Sequence, residues 1–279
     1  MNMVFLLDCL TTSALLFIVT SGLMMIFGVM RIINFAHGAI VGIGGYTAYV
    51  LSAHHIHPWY GLLLAIAVGA ATGAVVERLV VRPLYKRPLD AILATWGLGI
   101  VIIQGIIMLF GREVQFVNPP LHGSTILFDV SYSAYRLLML PMAAAICLSL
   151  HMLLNKTRFG AKVRAVIMNE ELAASLGVNS ELIRCLSFCL GAALGTVAGV
   201  LITPLFSVDP YMGISWLTSA FMLVMVSGSS FAGLMVTCLV FGSIQVIVSS
   251  FINPVLGGMT IAVLAATTLR IRPRGFANE

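Results

Sequence analysis

The sequence predicts an all-α membrane protein, a polytopic bundle of about eight or nine transmembrane helices. Three observations predict it. Only 9% of the 279 residues are charged and 60% are hydrophobic, whereas a soluble domain covers its surface with roughly 25% charged residues. Mean hydropathy is +1.06. Residues 10–30, 61–76, 91–110, 182–205, 217–227 and 233–252 carry few or no charges, and an apolar helix of about 20 residues spans the hydrocarbon core. The alternating strands of a membrane barrel are absent. Helices satisfy their own backbone groups in lipid, so a helical bundle follows.

Cations beside apolar segments mark the cytoplasmic side. Three clusters qualify: "ERLVVRPLYKRP" (77–88), "NKTRFGAKVRA" (155–165) and "LRIRPRGF" (269–276). Between the first two, residues 111–135 are rich in Pro, Gly, Ser and aromatics, as an external loop would be. Helices near 61–82, 90–110, 137–155 and 182–204 then alternate across the membrane, and the breaks at 227–233 and 252–258 separate the last three helices. Counting backwards puts "HHIHPWY" (54–60) and the N-terminus outside and the C-terminus inside, with nine spans or, alternatively, eight. The chain, 1–279, reads as one transmembrane domain. No Lys or Arg precedes the first apolar run, so no cleaved signal peptide is expected.

The net charge of +5 sits beside apolar segments and sets orientation, so no nucleic-acid partner is expected. The five cysteines lie inside apolar segments without a CxxC pair. They read as small packing residues, and no disulfide framework is implied.

Two helices look interrupted. "RIINFAHGAIVGIGGY" (31–46) sets Arg31, Asn34 and His37 among glycines at membrane depth. Non-helical backbone survives there only where protein or a water-filled cavity covers it. Gly22, Gly28, Gly42 and Gly45 read as close-packing positions. Asn34 and His37, with Ser21 and Tyr46, either face a polar translocation path or form a buried hydrogen-bond network. The second interruption is "ITPLFSVDPYMGISWL" (202–217), where Pro204 and Pro210 bracket Asp209 and a fresh helix begins after Gly213. Asp209 either caps that helix or sits at its external mouth. Paired interruptions in two halves point to a transport site between inverted repeats.

The loop "RFGAKVRAVIMNEELAASLGVNSELIR" (158–184) predicts a short amphipathic helix over 166–178. Val166, Leu172, Ala173 and Leu176 are its apolar residues and Glu170 and Glu171 its polar ones, and Gly177 ends it. Flanked by Arg164 and Arg184, it suits a groove on another protein or, alternatively, the lipid surface.

At this loop a resemblance becomes specific. "ELAASLG" is similar to the cytoplasmic loop of ABC-importer permeases, Glu-Ala-Ala, three residues, then Gly. Glu171 and Gly177 hold the spacing, and Leu172 replaces the first Ala. The whole chain resembles the permease family for branched-chain amino acids. The matching motifs are "INFAHG" (33–38), the series Arg164, Ala165, Asn169, Ala173, Leu176, Gly177, Val178 and Asn179, "PYMGISWLTSAFMLVMVSG" (210–228) and "RPRG" (273–276). Ala39 stands where many members carry Glu, and "SGSSFAG" replaces a more Gly-rich turn.

The resemblance implies a type II ABC-importer permease fold in a bacterial inner membrane. It implies a path formed with a second related permease, two ATP-binding cassette subunits docked on the 158–182 loop, and a periplasmic or lipid-anchored substrate-binding protein outside. The coupling residues would be Arg164, Asn169, Glu170, Glu171, Ala173, Ala174 and Gly177. ATP and Mg would be bound by the partners, leaving this chain without cofactor, metal or catalytic residues. The substrate would be a branched-chain or other hydrophobic amino acid, with urea, short amides and aromatic acids as alternatives within the same class.

The sequence leaves three rival readings. "SGSS" (227–230) resembles the element of a membrane serine protease, yet no His follows His151 to activate the serine. "HHIH" (54–57) could hold zinc, with no carboxylate or thiol nearby. An ion-coupled secondary transporter would place ionisable groups inside the membrane, for which Glu77 and Asp209 are the candidates.

Overall fold

The computed structural model describes residues 3–121, 123–127, 130–228 and 230–272. The "RPRG" motif and Ser229 of "SGSS" lie outside them. Among the described residues eleven α-helices follow one another: α1 (Met3–Met30), α2 (His37–Ala53), α3 (Tyr60–Val76), α4 (Pro88–Phe110), α5 (Ala134–Lys156), α6 (Arg158–Met168), α7 (Glu170–Ser175), α8 (Ser180–Phe206), α9 (Met212–Ser227), α10 (Phe231–Phe251) and α11 (Pro254–Ile271). α3 runs on through a π turn, Glu77–Val81, and a 3₁₀ turn, Arg82–Leu84. Among the described residues, seven helices are long and apolar enough to cross a membrane: α1, α3 with its extension, α4, α5, α8, α10 and α11. Two shorter helices, α2 with 17 residues and α9 with 16, begin inside the bundle. The chain is therefore the expected polytopic helical bundle.

α1 and α8 form its axis. Most of both helices is buried, which is why neither carries a polar stripe: a helix packed on all sides reads as apolar all round. Their backbones meet where a Cβ on Gly22 would lie 2.6 Å from the Gly191 carbonyl oxygen. Small residues at such crossings gain the dispersion contacts that drive helix association in lipid. Gly45 likewise faces Met212, Thr203 and Val208 within 3 Å, but Gly28 meets nothing within 4 Å and Gly42 only the tip of Ile106. Close packing thus accounts for Gly22 and Gly45 and not for the other two.

Pro204 does not break its helix. It falls in the last turn of α8, where a missing N–H frees only one carbonyl before the helix would end anyway. The real interruption starts at Ser207, and α9 begins at Met212 rather than after Gly213. The 111–135 segment is not all loop. β1 (Ser124–Leu127) and β2 (Val130–Ser133) pair antiparallel, with Thr125 opposite Tyr132. Tyr132 anchors this hairpin: its hydroxyl donates to Asp8 Oδ1 (2.7 Å) and lies 2.9 Å from the Thr11 hydroxyl. Arg136 adds an ion pair to Asp8 at 3.0 Å. Burial, followed by the contact with Asp8, holds the Tyr132 hydroxyl above its ordinary pKa, so it remains a proton donor there.

Candidate functional site

The two interruptions restart their helices by the same local geometry. After α1, Arg31 adopts φ +53°. Three residues on, Asn34 makes an Asx turn: the Ala36 N–H donates to its Oδ1 (3.1 Å), and the His37 N–H donates to its carbonyl (3.2 Å). α2 starts there. After α8, Ser207 adopts φ +66°. The Tyr211 N–H donates to Asp209 Oδ1 (2.8 Å), the Met212 N–H donates to the Asp209 carbonyl (3.2 Å), and α9 starts. Asn and Asp favour such turns because a short side-chain oxygen mimics a backbone acceptor two residues upstream.

The second residues of these helices, Gly38 and Gly213, touch. A Cβ on Gly38 would stand 2.7 Å from the Gly213 carbonyl oxygen, and one on Gly213 would come closer still to Gly38. Two helix N-termini, each with unpaired N–H groups and the positive end of its dipole, therefore meet inside the bundle. Beside them lies an open cavity of about 210 Å³, walled by Phe35, Trp96, Ile100, Ile103 and Leu217 and floored by Gly38 and Ala39. Both interruptions are also tied to α4 and the segment after it. The Phe35 N–H donates to Thr95 Oγ1 (3.3 Å), while Gln115 and Val208 exchange backbone hydrogen bonds of 2.8 and 2.9 Å.

The polar residues expected on a path have the following positions. Ser21 is fully buried and donates to the Ile18 carbonyl (2.8 Å). His37 is fully buried against α1, its Nε2 3.5 Å from the Val19 carbonyl oxygen and its Nδ1 unpartnered. Asn34 keeps Nδ2 unpartnered at 1% exposure. Tyr46 packs on Phe110, ring centres 4.8 Å apart, with its hydroxyl unpartnered. None of these four borders the 210 Å³ cavity. Asp209 is half-buried beside the Gln115–Val208 bridge.

The helix expected over 166–178 is two helices. Asn169, extended at φ −158°, ends α6, and its Oδ1 accepts from the Leu172 N–H (3.0 Å) to cap α7; an N-cap of this kind is worth about 1 kcal/mol. Gly177, at φ +82°, closes α7. The Val178 N–H donates to the Ala173 carbonyl and the Gly177 N–H to the Ala174 carbonyl, both at 3.0 Å, a C-terminal motif that wants a left-handed residue. The break divides the apolar residues. Val166 and Ala173 turn inward onto Val29, Val163 and Ile183, whereas Met168 (86% exposed), Leu172 (58%) and Leu176 (75%) point out. Arg164 donates to the Leu154 carbonyl and Glu170 pairs with Arg184. Glu171 and Ala174 are exposed beside the leucines.

Reading the sequence did not reveal the cluster around Tyr85. Glu77, expected near a helix end, is 1% exposed inside the π turn and accepts the Tyr85 hydroxyl on Oε1. A lone tyrosine between cations gives no periodic signal for such a contact. The doubled Asx turn did leave a signal, Asn34-x₃-Gly38 and Asp209-x₃-Gly213.

Known proteins are similar to this chain. Over 94% of its length the chain is 26% identical to the high-affinity branched-chain amino acid transport system permease protein LivH of Salmonella typhimurium, covering 91% of that protein. It is 26% identical over 95% of its length to the probable branched-chain amino acid transport permease protein LivH of Methanocaldococcus jannaschii, covering 89% of it. Among solved structures, PsaBC from Streptococcus pneumoniae in complex with Fab superposes with a TM-score of 0.54 over 97% of this chain and 92% of that one, at 15% identity, a likeness of fold alone. Residues 5–267 match the model of the branched-chain amino acid transport system permease component, and the chain belongs to that family of multi-pass membrane permeases.

Proposed function

We propose that this chain is the non-catalytic permease subunit of an ATP-driven importer for branched-chain or other hydrophobic amino acids, in a bacterial inner membrane with its N-terminus outside and C-terminus in the cytoplasm. One observation carries the reading: α7 holds Leu172 and Leu176 outward beside Glu171 while Ala173 anchors it to the bundle. Two exposed leucines on a short, doubly capped element have no use in water and suit a groove on a partner. The partner of fitting chemistry is an ATPase. Two such subunits, binding ATP and Mg, would dock on two permeases, this chain and a related one. A substrate-binding protein, periplasmic or lipid-anchored, would deliver solute to the hairpin end.

The cavity beside Gly38 and Gly213 suits the solute. The carboxylate of an amino acid is favoured at helix N-termini, and its branched side chain would lie against Phe35, Trp96, Ile100 and Leu217. Burying such a side chain contributes roughly 1.5–3 kcal/mol. Asn34 and His37 would brace the first break behind that wall, Asp209 would form the turn at the second, and Ser21 and Tyr46 would line the path elsewhere in the bundle. Nucleotide can drive transport only if α7 binds the open and closed ATPase dimers differently. Glu171→Lys should leave a folded permease, by thermal melting in detergent, that no longer co-purifies with the ATPase. Recovery of an intact complex would refute the docking role.

A further inference from the structure

At the end of the bundle that carries α6 and α7, a line of side chains runs from the docking helix into α3. Glu170, the first residue of α7, is ion-paired with Arg184 of α8. The Arg184 guanidinium lies over the Tyr85 ring, 4.6 Å from its centre. Tyr85, in the turn before α4, donates its hydroxyl to Glu77 Oε1. The line stops on a poorly satisfied group: Glu77 Oε2 is buried with only the weak donor of the Cys185 thiol beside it, and Arg184 Nε is buried without a partner. Burial first, then the hydrogen bond and charge of Glu77, raise the Tyr85 pKa far above the ordinary phenol value, so this hydroxyl stays a donor. Glu77 also borders a cavity of about 150 Å³, with Arg78, Cys185 and the Arg82–Glu181 ion pair around it.

Arg184 is paired with one carboxylate, Glu170, and separated from a second, Glu77, by the Tyr85 side chain that touches both Arg184 and Glu77. Glu170 is 42% exposed in its side chain, so its pairing is screened by water and weakly held. Glu77 is nearly fully buried, where a poorly partnered carboxylate oxygen is costly. It sits in a π turn, a widened piece of helix that often marks functional sites. A charged side chain with two discrete packings within reach makes a switch that a small bias can throw.

We propose that Arg184 is a toggle between Glu170 and Glu77. With α7 free, it holds Glu170. When a docked ATPase draws Glu170 into its own contacts, Arg184 slides along the Tyr85 face onto Oε2 of Glu77, tightens the π turn and shifts the start of α4. α4 passes the movement on, since Thr95 holds the first interruption and Gln115, past its far end, holds the second. Tyr85, Glu77 and Arg184 are positioning residues, touching neither solute nor nucleotide. The toggle rests on the importer reading above.

The test uses the whole complex in vesicles, measuring leucine uptake and ATP hydrolysis together. Glu77→Gln and Tyr85→Phe should each assemble and hydrolyse ATP within about twofold of wild type, yet move at least fivefold less leucine per ATP. Adding Glu170→Gln to Glu77→Gln should change that ratio less than twofold, since the toggle is already broken. An unchanged ratio, independent multiplied effects, or a parallel fall of both activities with the melting temperature would overturn the toggle. Should Glu77→Gln fail to assemble, Tyr85→Phe decides alone, and failure of both would assign the cluster to folding and overturn it too. Leucine moved by the wild-type chain without ATPase subunits would instead sink the importer reading, and the toggle with it.

Discussion

The interruption after α1 and the one after α8 use one backbone device in two environments. Each opens on a non-glycine residue at positive φ, Arg31 and Ser207. Each turns on an Asx side chain and restarts a helix whose second residue is glycine. They differ in chemistry. Asn34 is sealed at 1% exposure, while Asp209 is half-buried near the hairpin end. An amide left partly unsatisfied costs about 1–3 kcal/mol, whereas an unpaired carboxylate in the same place would cost far more. The sealed break therefore carries the neutral residue, and the break with access to water can carry the charge. Depth, rather than local geometry, selects between Asn and Asp.

The largest effect should come from breaking what the two interruptions share. At Gly213→Ala the new methyl meets the Gly38 backbone, which cannot rotate aside as a side-chain tip would. Overpacking of this kind costs typically 1–3 kcal/mol and occasionally more. We expect a fall of at least about twentyfold in folded protein recovered from detergent, with a lower melting temperature. Gly28→Ala, with nothing within 4 Å of its Cβ position, should melt at or above wild type. Equal melting temperatures for Gly213→Ala and wild type would show that the two helix starts do not touch.

The same contrast explains what could be read in advance. Long apolar runs locate the spans, because burial in lipid demands about 20 apolar residues. The starts of α1 at Met3, α5 at Ala134 and α9 at Met212 nevertheless lie before the runs at 10–30, 137–155 and 217–227. The interruption between Met30 and His37 was legible as a glycine-rich polar break, since polar residues at that depth demand a covered, non-helical backbone, but the positive φ at Arg31 was not. Pro204 misled, being a helix breaker placed where the helix was about to end. The split at Asn169 was missed because hydrophobic spacing over 166–178 fits one helix, and only the cap hydrogen bond to Leu172 decides for two. The wall of the cavity was illegible: Phe35, Trp96, Ile100 and Leu217 are ordinary apolar residues in sequence, and only the crossing of Gly38 with Gly213 brings them together.

Next in size is the sealed break itself. Asn34→Leu removes the acceptor of the Ala36 N–H, a loss of about 1–3 kcal/mol once that donor is buried and unpaired. The bundle, held by α1 against α8, should still assemble, but the start of α2 would drift from the cavity wall. Leucine uptake in vesicles should fall at least tenfold while the complex still co-purifies. Uptake at the wild-type rate would reduce Asn34 to a packing residue and leave the path hypothesis without its first support.

The smallest effect sharpens the comparison instead of breaking it. Asp209→Asn keeps the oxygen that accepts the Tyr211 N–H and removes only the charge, making the second break chemically like the first. If the carboxylate serves as a turn-former that water happens to tolerate, uptake should stay within about twofold of wild type, whereas Asp209→Leu, which loses the turn, should fall several-fold. The ratio of the two variants isolates the charge from the turn. Should Asp209→Asn lose as much uptake as Asp209→Leu, the charge itself acts on arriving solute or on the docked binding protein. The two interruptions would then differ in purpose, and the choice of Asp over Asn would owe nothing to depth.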